Sequence, residues 1–458
     1  MKILSALLLL LLTTVGVFQV LAAPATKPNI ILCMTDDQGW GDVSYNGLTK
    51  IKTPNLDALA SAGLRFNRFY AQQSCSPTRA SVMTGRHPNR MGVFWPGMKL
   101  RKEELTLAPA VKQAGYVTGH FGKWHLNGVA GPGKVMPDSD PLAPQNCGFD
   151  ESFSVSNYFE TDWTFGRNGI PEKTTGDGSD VIVGEALKFI GAAAEKKKPF
   201  LAVVWFGSPH VPHKPLPEDL KAAGGSAYYG ELLGVDRSIG TLRAGLRKLG
   251  LADNTMLWFS SDNGGWLDPA APDAHGTNLD LRGRKGDMWE GGLRVPFLVR
   301  WPGKVKPGTT GAQLTSLTDV MATVAAIIGA DLPKDAAEDS FNMLPALLGQ
   351  DSGPIRPYLL QQAFGGPRTL SIRRGHWKYL DHAGSGGNRY DNDAGLKPFI
   401  LPDTAPDAPG QLYNLESDPG ETRNLYFEQP QIVKELKTLL DQSKASGRSR
   451  PERSAGNP

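Results

Sequence analysis

Four short apolar runs punctuate the chain, and each stops at a polar cluster. Asn29–Met34 passes into Thr35-Asp36-Asp37, and Tyr116–Phe121 into Gly122-Lys123-Trp124-His125. Phe200–Phe206 passes into Gly207-Ser208-Pro209-His210, and Thr255–Phe259 into Ser260-Ser261-Asp262-Asn263. The apolar positions are continuous rather than alternating, which predicts strands buried on both faces, as in a parallel sheet. Helical patterns over Asn55–Ala62, Thr106–Ala114, Asp180–Lys196 and Tyr228–Lys248 lie between them, so the pattern predicts an α/β layered architecture. In open α/β sheets ligands bind beyond the carboxyl ends of the strands. All four polar clusters fall there, and the expectation is one shared site.

Gly, Pro and Asp crowd residues 128–146 and 263–283, which predicts long loops. A Gly/Pro-rich stretch at Gly349–Pro357 reads as a domain boundary. Beyond it, strand-like segments at Thr369–Arg373, Trp377–Leu380 and Gln411–Asn414 precede a helical pattern at Pro430–Ser443, which predicts a small α+β domain. At the start, Met1-Lys2, the apolar Ile3–Leu12 and the small-residue exit Leu21-Ala22-Ala23 read as a signal peptide cleaved near Ala22 or Ala23. That run is shorter than the roughly 20 residues of a spanning helix. The expected plan is therefore a signal peptide over 1–23, a catalytic domain over 24–355, a small C-terminal domain over 356–445 and a disordered tail over 446–458. It describes a secreted or periplasmic protein with no membrane association after cleavage.

Forty-nine basic and 46 acidic residues leave a formal net charge of +3, which argues for neither a nucleic-acid nor a membrane-surface partner and leaves room for a local basic cluster facing an anionic substrate. Three cysteines, Cys33, Cys75 and Cys147, form no disulfide framework, and at least one needs another explanation.

The candidate chemistry sits at the strand ends and in one cysteine motif. In Cys75-Ser76-Pro77-Thr78-Arg79, Pro77 suits a first helical position with Ser76 as N-cap, and Gly85 suits the helix end. Cys75 then precedes a helix N-terminus, where free N–H groups favour an anion. Arg79, one turn on, adds a planar donor for an oxyanion. Asp36, Asp37, Asp262 and Asn263 make a hard-oxygen set suited to Ca²⁺ rather than zinc, the bland alternative for each pair being a turn or cap. Lys123 and His125, two apart on an extended segment, are expected on one face with Trp124 turned into packing. His210 follows a strand and is fixed by Pro209 and Pro212, with His213 as a pocket residue. Lys285 lies in Gly283-Arg284-Lys285-Gly286, with Arg282 and Arg284 as close alternatives.

The order Cys-X-Pro-X-Arg, with PNIILCMTDDQGWGD, CSPTRASVMTGR, GYVTGHFGKWH, SPH, FSSDNGG and KGDMWEGGLRVPFLVRWPG, resembles the type I, formylglycine-dependent sulfatases over nearly the whole chain. Among them it is most similar to the N-acetylgalactosamine-6-sulfatase and arylsulfatase A branch. The resemblance implies an alkaline-phosphatase-like fold: a large mixed, mostly parallel sheet sandwiched by helices, with the smaller C-terminal domain. It also implies that a formylglycine-generating enzyme oxidises Cys75, and that the hydrated aldehyde attacks sulfur and releases the alcohol. By the same resemblance residue 75 shares a Ca²⁺ with Asp36, Asp37, Asp262 and Asn263. Arg79, Lys123 and Lys285 stabilise the sulfuryl group, the electrostatic term that usually dominates such catalysis. His125 serves the second hydroxyl, and His210 the leaving group. Ser156 is a candidate for the family's sulfate-contacting serine, although the local pattern diverges. The implied activity is hydrolysis of a carbohydrate sulfate ester, such as a galactose or N-acetylgalactosamine sulfate. Two alternatives are a phosphonate or phosphodiester hydrolase of the same superfamily and a non-catalytic sulfoglycan-binding protein with unmodified Cys75.

Overall fold

The computed structural model describes residues 27–267, 276–350, 353–364 and 369–451. The expected signal peptide, part of the expected 263–283 loop and the last seven residues lie outside them. Ten strands form one mixed sheet. From edge to edge they are Thr309–Gly311, Leu64–Phe66, Phe297–Arg300, Thr255–Ser261, Asn29–Thr35, Phe200–Trp205, Val117–Lys123, Glu151–Val155, Thr164–Arg167 and Ile170–Lys173. The four apolar runs are the four adjacent central strands, mutually parallel, and Glu151–Val155 continues the parallel set. Antiparallel pairing enters where Phe297–Arg300 meets Thr255–Ser261 and in the edge hairpin Thr164–Lys173.

Register decides where the polar clusters go. Thr35 pairs with Ser261, Met34 with Trp205, and Gly122 with Trp205, so the four strands finish level at their carboxyl ends. Alternate residues feed two cores. Ile30, Leu32, Val203 and Trp258 pack towards helices Cys75–Thr84, Leu107–Lys112 and Val320–Ile328. Ile31, Cys33, Val204 and Phe259 pack towards helices Pro54–Ser61, Gly178–Glu195 and Ala227–Lys248. Burial on both faces is the reason these strands read as unbroken apolar runs.

A second, antiparallel sheet of four strands, Leu359–Gln362, Leu370–Arg374, Trp377–Leu380 and Gln411–Asn414, carries the helix Pro430–Ser446 on one face through Val433, Leu436 and Leu440. The first of these strands escapes the sequence reading because it is only four residues long and half amide. Disorder expected from residue 446 onward is not what the structure shows for 446–451. Ser449 donates through its backbone N–H (2.9 Å) and hydroxyl (2.7 Å) to Asp339, and Arg450 N donates to Glu338 O. Among the described residues no helix is long and apolar enough to cross a membrane.

Gly122 is where the sheet tolerates no side chain. Its φ is +102°, and a Cβ would lie 2.0 Å from the Trp205 carbonyl oxygen. Gly122→Ala should combine backbone strain of about 1–3 kcal/mol with an overpacking cost of about 1–3 kcal/mol. A thermal melt should show a clear fall in Tm. An unchanged Tm would contradict this register.

Candidate active site

Three carboxylates meet at the carboxyl ends of two neighbouring strands. Oxygens of Asp36, Asp37 and Asp262 lie within 4.8 Å of one another, and all three side chains are buried. The backbone sets them there: Asp262 N donates to Thr35 O (3.1 Å) and Asp37 N to Asp262 Oδ1 (3.2 Å). Asp37 takes a φ of +64°, a left-handed conformation that Asp accepts more readily than most residues.

Three cations answer this charge. Lys123 Nζ donates to Asp36. Arg79 donates to Asp262 Oδ2 from Nη2 (2.7 Å) and Nε (3.2 Å), and lies 3.6 Å from Asp36. Lys285 Nζ sits 2.7 Å from Asp37. Burial opposes ionisation of Asp36, but Lys123, His210 and Arg79 outweigh it and hold the carboxyl well below its usual range. Burial and the neighbouring Asp36 push Asp262 up to about 7 despite Arg79. Asn263 Nδ2 donates to Asp37 Oδ1 (2.8 Å). Asn263 Oδ1 and Asp36 Oδ1 are buried with no hydrogen-bond partner. Three carboxylates, one with an unanswered oxygen, and the unanswered amide oxygen of Asn263 fit a hard cation such as Ca²⁺.

The helix carrying the cysteine motif starts earlier than the sequence predicts. It spans Cys75–Thr84 with Ser74 at the N-cap, so Cys75 is its first residue. Ser76 does not cap. Its hydroxyl donates to His125 O (2.7 Å) and accepts from Gly97 N (2.9 Å). Gly85 closes the helix at φ +67° as expected. Cys75 Sγ lies within 4.8 Å of an Asp36 oxygen and a His210 ring nitrogen. Burial pushes its thiol up to about 12, so at neutral pH the unmodified side chain is protonated and a poor nucleophile. Arg79 Nη1 also donates to Lys123 O (2.9 Å), and the guanidinium stacks over Trp205 with 5.0 Å to the ring centroid.

Lys123 ends its strand, and Trp124 turns into the core against His120, Phe149 and Trp205 as expected. His125 does not share a face with Lys123 through strand alternation. Its φ is +58°, and this left-handed residue breaks the period. Burial first, then Lys123 and Arg79, holds its imidazole well below the usual range. His210 Nε2 lies 3.8 Å from Asp37 Oδ2, and the ring stacks on Tyr158 at 5.0 Å. Burial pushes His210 down to about 4 although Asp36 favours its charged form. His213 instead places Nε2 3.0 Å from Pro209 O.

Of the three cations in the 282–285 segment, Lys285 reaches the cluster. Arg282 donates to Tyr413 Oη and Glu421 O, and Arg284 stacks on Phe399. Ser156 Oγ accepts from Lys134 N (2.9 Å), and its carbonyl accepts from His125 N (2.8 Å). Asp42 and Tyr228 carry no assignment from the sequence, yet they brace the cluster. Tyr228 Oη donates to Asp42 Oδ2 (2.6 Å) and lies 3.2 Å from Asp37 O. Asp42 stands in the quoted TDDQGWGD motif, but its partner lies 186 residues away, beyond any local pattern.

Residues 28–330 match the family described as Sulfatase. The chain is 32% identical to the N-acetylgalactosamine-6-O-sulfatase of Bacteroides thetaiotaomicron, covering 91% of this chain and 93% of that protein. It is 30% identical to human arylsulfatase A, covering 91% and 88%. A solved structure from work on the metabolism of multiple glycosaminoglycans by Bacteroides thetaiotaomicron superposes with a TM-score of 0.79 at 31% identity, over 92% of this chain and 100% of that one.

The buried charge balance predicts a stability effect. Arg79→Leu removes the main partner of Asp262 and should cost about 3–5 kcal/mol in chelator-treated protein. Adding Asp262→Asn should recover part of that loss. Urea unfolding of the single and double variants checks it, and a single-variant loss under about 1 kcal/mol would be inconsistent with this pairing.

Proposed function

The chain belongs to the sulfatase family, enzymes that hydrolyse sulfate esters, and on that premise we propose that it removes sulfate from a sulfated carbohydrate. The similarity to N-acetylgalactosamine-6-sulfatases favours a galactose or N-acetylgalactosamine sulfate. The observation that carries the reading is the grouping of Cys75, Asp36 and His210 within 4.8 Å, ringed by Arg79, Lys123 and Lys285. An anionic group is expected to meet its complement there.

In this reading a formylglycine-generating enzyme converts Cys75, and the hydrated aldehyde supplies the hydroxyl that attacks sulfur. Asp36, Asp37, Asp262 and Asn263 would hold Ca²⁺, which would supply charge stabilisation for the sulfuryl group. Lys123 and Lys285 orient the sulfate oxygens, and Arg79 keeps Asp262 and the Lys123 carbonyl fixed beside residue 75. Charge placed before the reaction needs no reorganisation during it. His125 takes the proton of the second hydroxyl, so that the aldehyde re-forms as the C–O bond to the transferred sulfate breaks and sulfate leaves; its neutral imidazole suits that task. His210, held neutral by burial before substrate enters, takes up a proton as the sulfate adds its negative charge and gives it to the departing alkoxide. The signal peptide over 1–23 directs the enzyme to the periplasm or the medium.

Mass spectrometry of the tryptic peptide containing Gln73–Arg79 tests the nucleophile in protein from a host with a formylglycine-generating system. Formylglycine is expected at position 75, and full activity with an unmodified thiol there would refute the mechanism.

The acid role of His210 has its own signature. A sugar alkoxide leaves poorly without a proton, whereas nitrophenolate departs almost unaided. His210→Ala should therefore lower kcat/KM by about 10²–10⁴-fold on a sugar sulfate and far less on nitrophenyl sulfate. Lys123→Ala should lower both more evenly, and equal losses for His210→Ala would reassign it to sulfate binding.

A further inference from the structure

The loop that presents His210 is anchored at both ends by one buried carboxylate. Glu231, on the helix Ala227–Lys248, is 7% exposed. Its Oε2 accepts from the Ser208 hydroxyl, and its Oε1 accepts from Lys214 N at 2.7 Å. The loop also holds itself through His210 N to Gly207 O (3.1 Å), just before the first anchor, and His213 Nε2 to Pro209 O (3.0 Å), between the two. Ser208 also faces the carboxylate cluster, its carbonyl accepting from Asp36 N at 3.1 Å. A single residue is thus tied to Asp36 on one side and to Glu231 on the other.

Glu231 has no cation to justify its burial. No described residue forms an ion pair with it, and the nearby Lys214 ammonium lies 3.5 Å from Glu160 instead. Burial pushes Glu231 up to about 7, with Asp177 and Glu160 adding to the rise against the two hydrogen bonds. A buried carboxylate without a counter-ion lowers stability. What it does at this place is join the two loop ends.

The geometry points to Glu231 as a positioning residue for His210, setting the place of the imidazole against the leaving-group oxygen. This inference rests on the acid role of His210 proposed above. Misplacing a reacting group by about 1 Å costs on the order of 10²-fold. The loss should also carry the mark of His210, falling on poor leaving groups and sparing good ones.

The experiment measures kcat/KM on a sugar sulfate and on nitrophenyl sulfate, with Tm, for Glu231→Leu, Glu231→Gln, Ser208→Ala and His210→Ala. Glu231→Leu keeps the side-chain bulk but loses both anchors, so it should lose about 10²-fold on the sugar sulfate and much less on nitrophenyl sulfate. Its Tm should not fall. Glutamine can accept from Lys214 N and donate to Ser208 Oγ, so Glu231→Gln should restore most of the sugar-sulfate activity. Ser208→Ala, which removes one anchor, should show a smaller loss with the same selectivity, and it decides the matter if Glu231→Leu does not fold. Equal losses on both substrates, or none, for Glu231→Leu or Ser208→Ala beside a selective His210→Ala would overturn the positioning role. Equal losses for His210→Ala itself would overturn the acid reading, and this inference with it.

Discussion

Placing three carboxylates together out of water is the constraint from which the rest of the site follows. Asp36, Asp37 and Asp262 are buried with oxygens within 4.8 Å of one another, where like charges repel strongly and water cannot screen them. Such a group persists only if cations, hydrogen-bond donors or a metal ion answer it. Lys123, Arg79 and Lys285 come from three different segments to do so, and each is held by its own backbone. Gly286 N donates to Gln73 O at 2.8 Å, and Asn388 of the smaller unit donates to Lys285 O at 2.9 Å. The second sheet and its loops therefore reach the lysine of the first.

The same constraint explains why the sheet must be so exact at its carboxyl edge. The Asp36–Asp37 and Asp262–Asn263 pairs meet because Thr35 and Ser261 are register partners. Lys123 reaches Asp36 because its strand finishes level with Phe200–Trp205 at Gly122. A slip of one residue would turn every side chain of a strand to the opposite face. The two apolar cores on the faces of the sheet forbid that slip, and core packing thereby controls catalytic geometry.

Much of this was legible in the sequence because the relevant signals are local. Continuous apolar runs named the four central strands, and the polar residues at their ends named most of the site. The motif at Cys75–Arg79 is compact, with both residues on one helical turn. The reading failed where a backbone choice has no local mark. His125 adopts φ +58°, so the alternation assumed for Lys123 and His125 does not hold. Ser76, the expected cap, lies inside the helix with its hydroxyl drawn to His125 O and Gly97 N, and Ser74 holds the N-cap position without a side-chain capping bond. Tyr228 and Glu231 stayed invisible because they act on residues distant in sequence. Their sequence context is that of an ordinary amphipathic helix.

We propose that the four strand-end residues form a hard-cation cage beside residue 75, and anomalous X-ray diffraction on crystals of the active enzyme is the decisive measurement. Ca²⁺ bound through Asp36, Asp37, Asp262 and Asn263 at about 2.3–2.6 Å is the expected result. A zinc-like ion held by the Cys75 thiolate and His210 nitrogen at about 2.0–2.3 Å would contradict it.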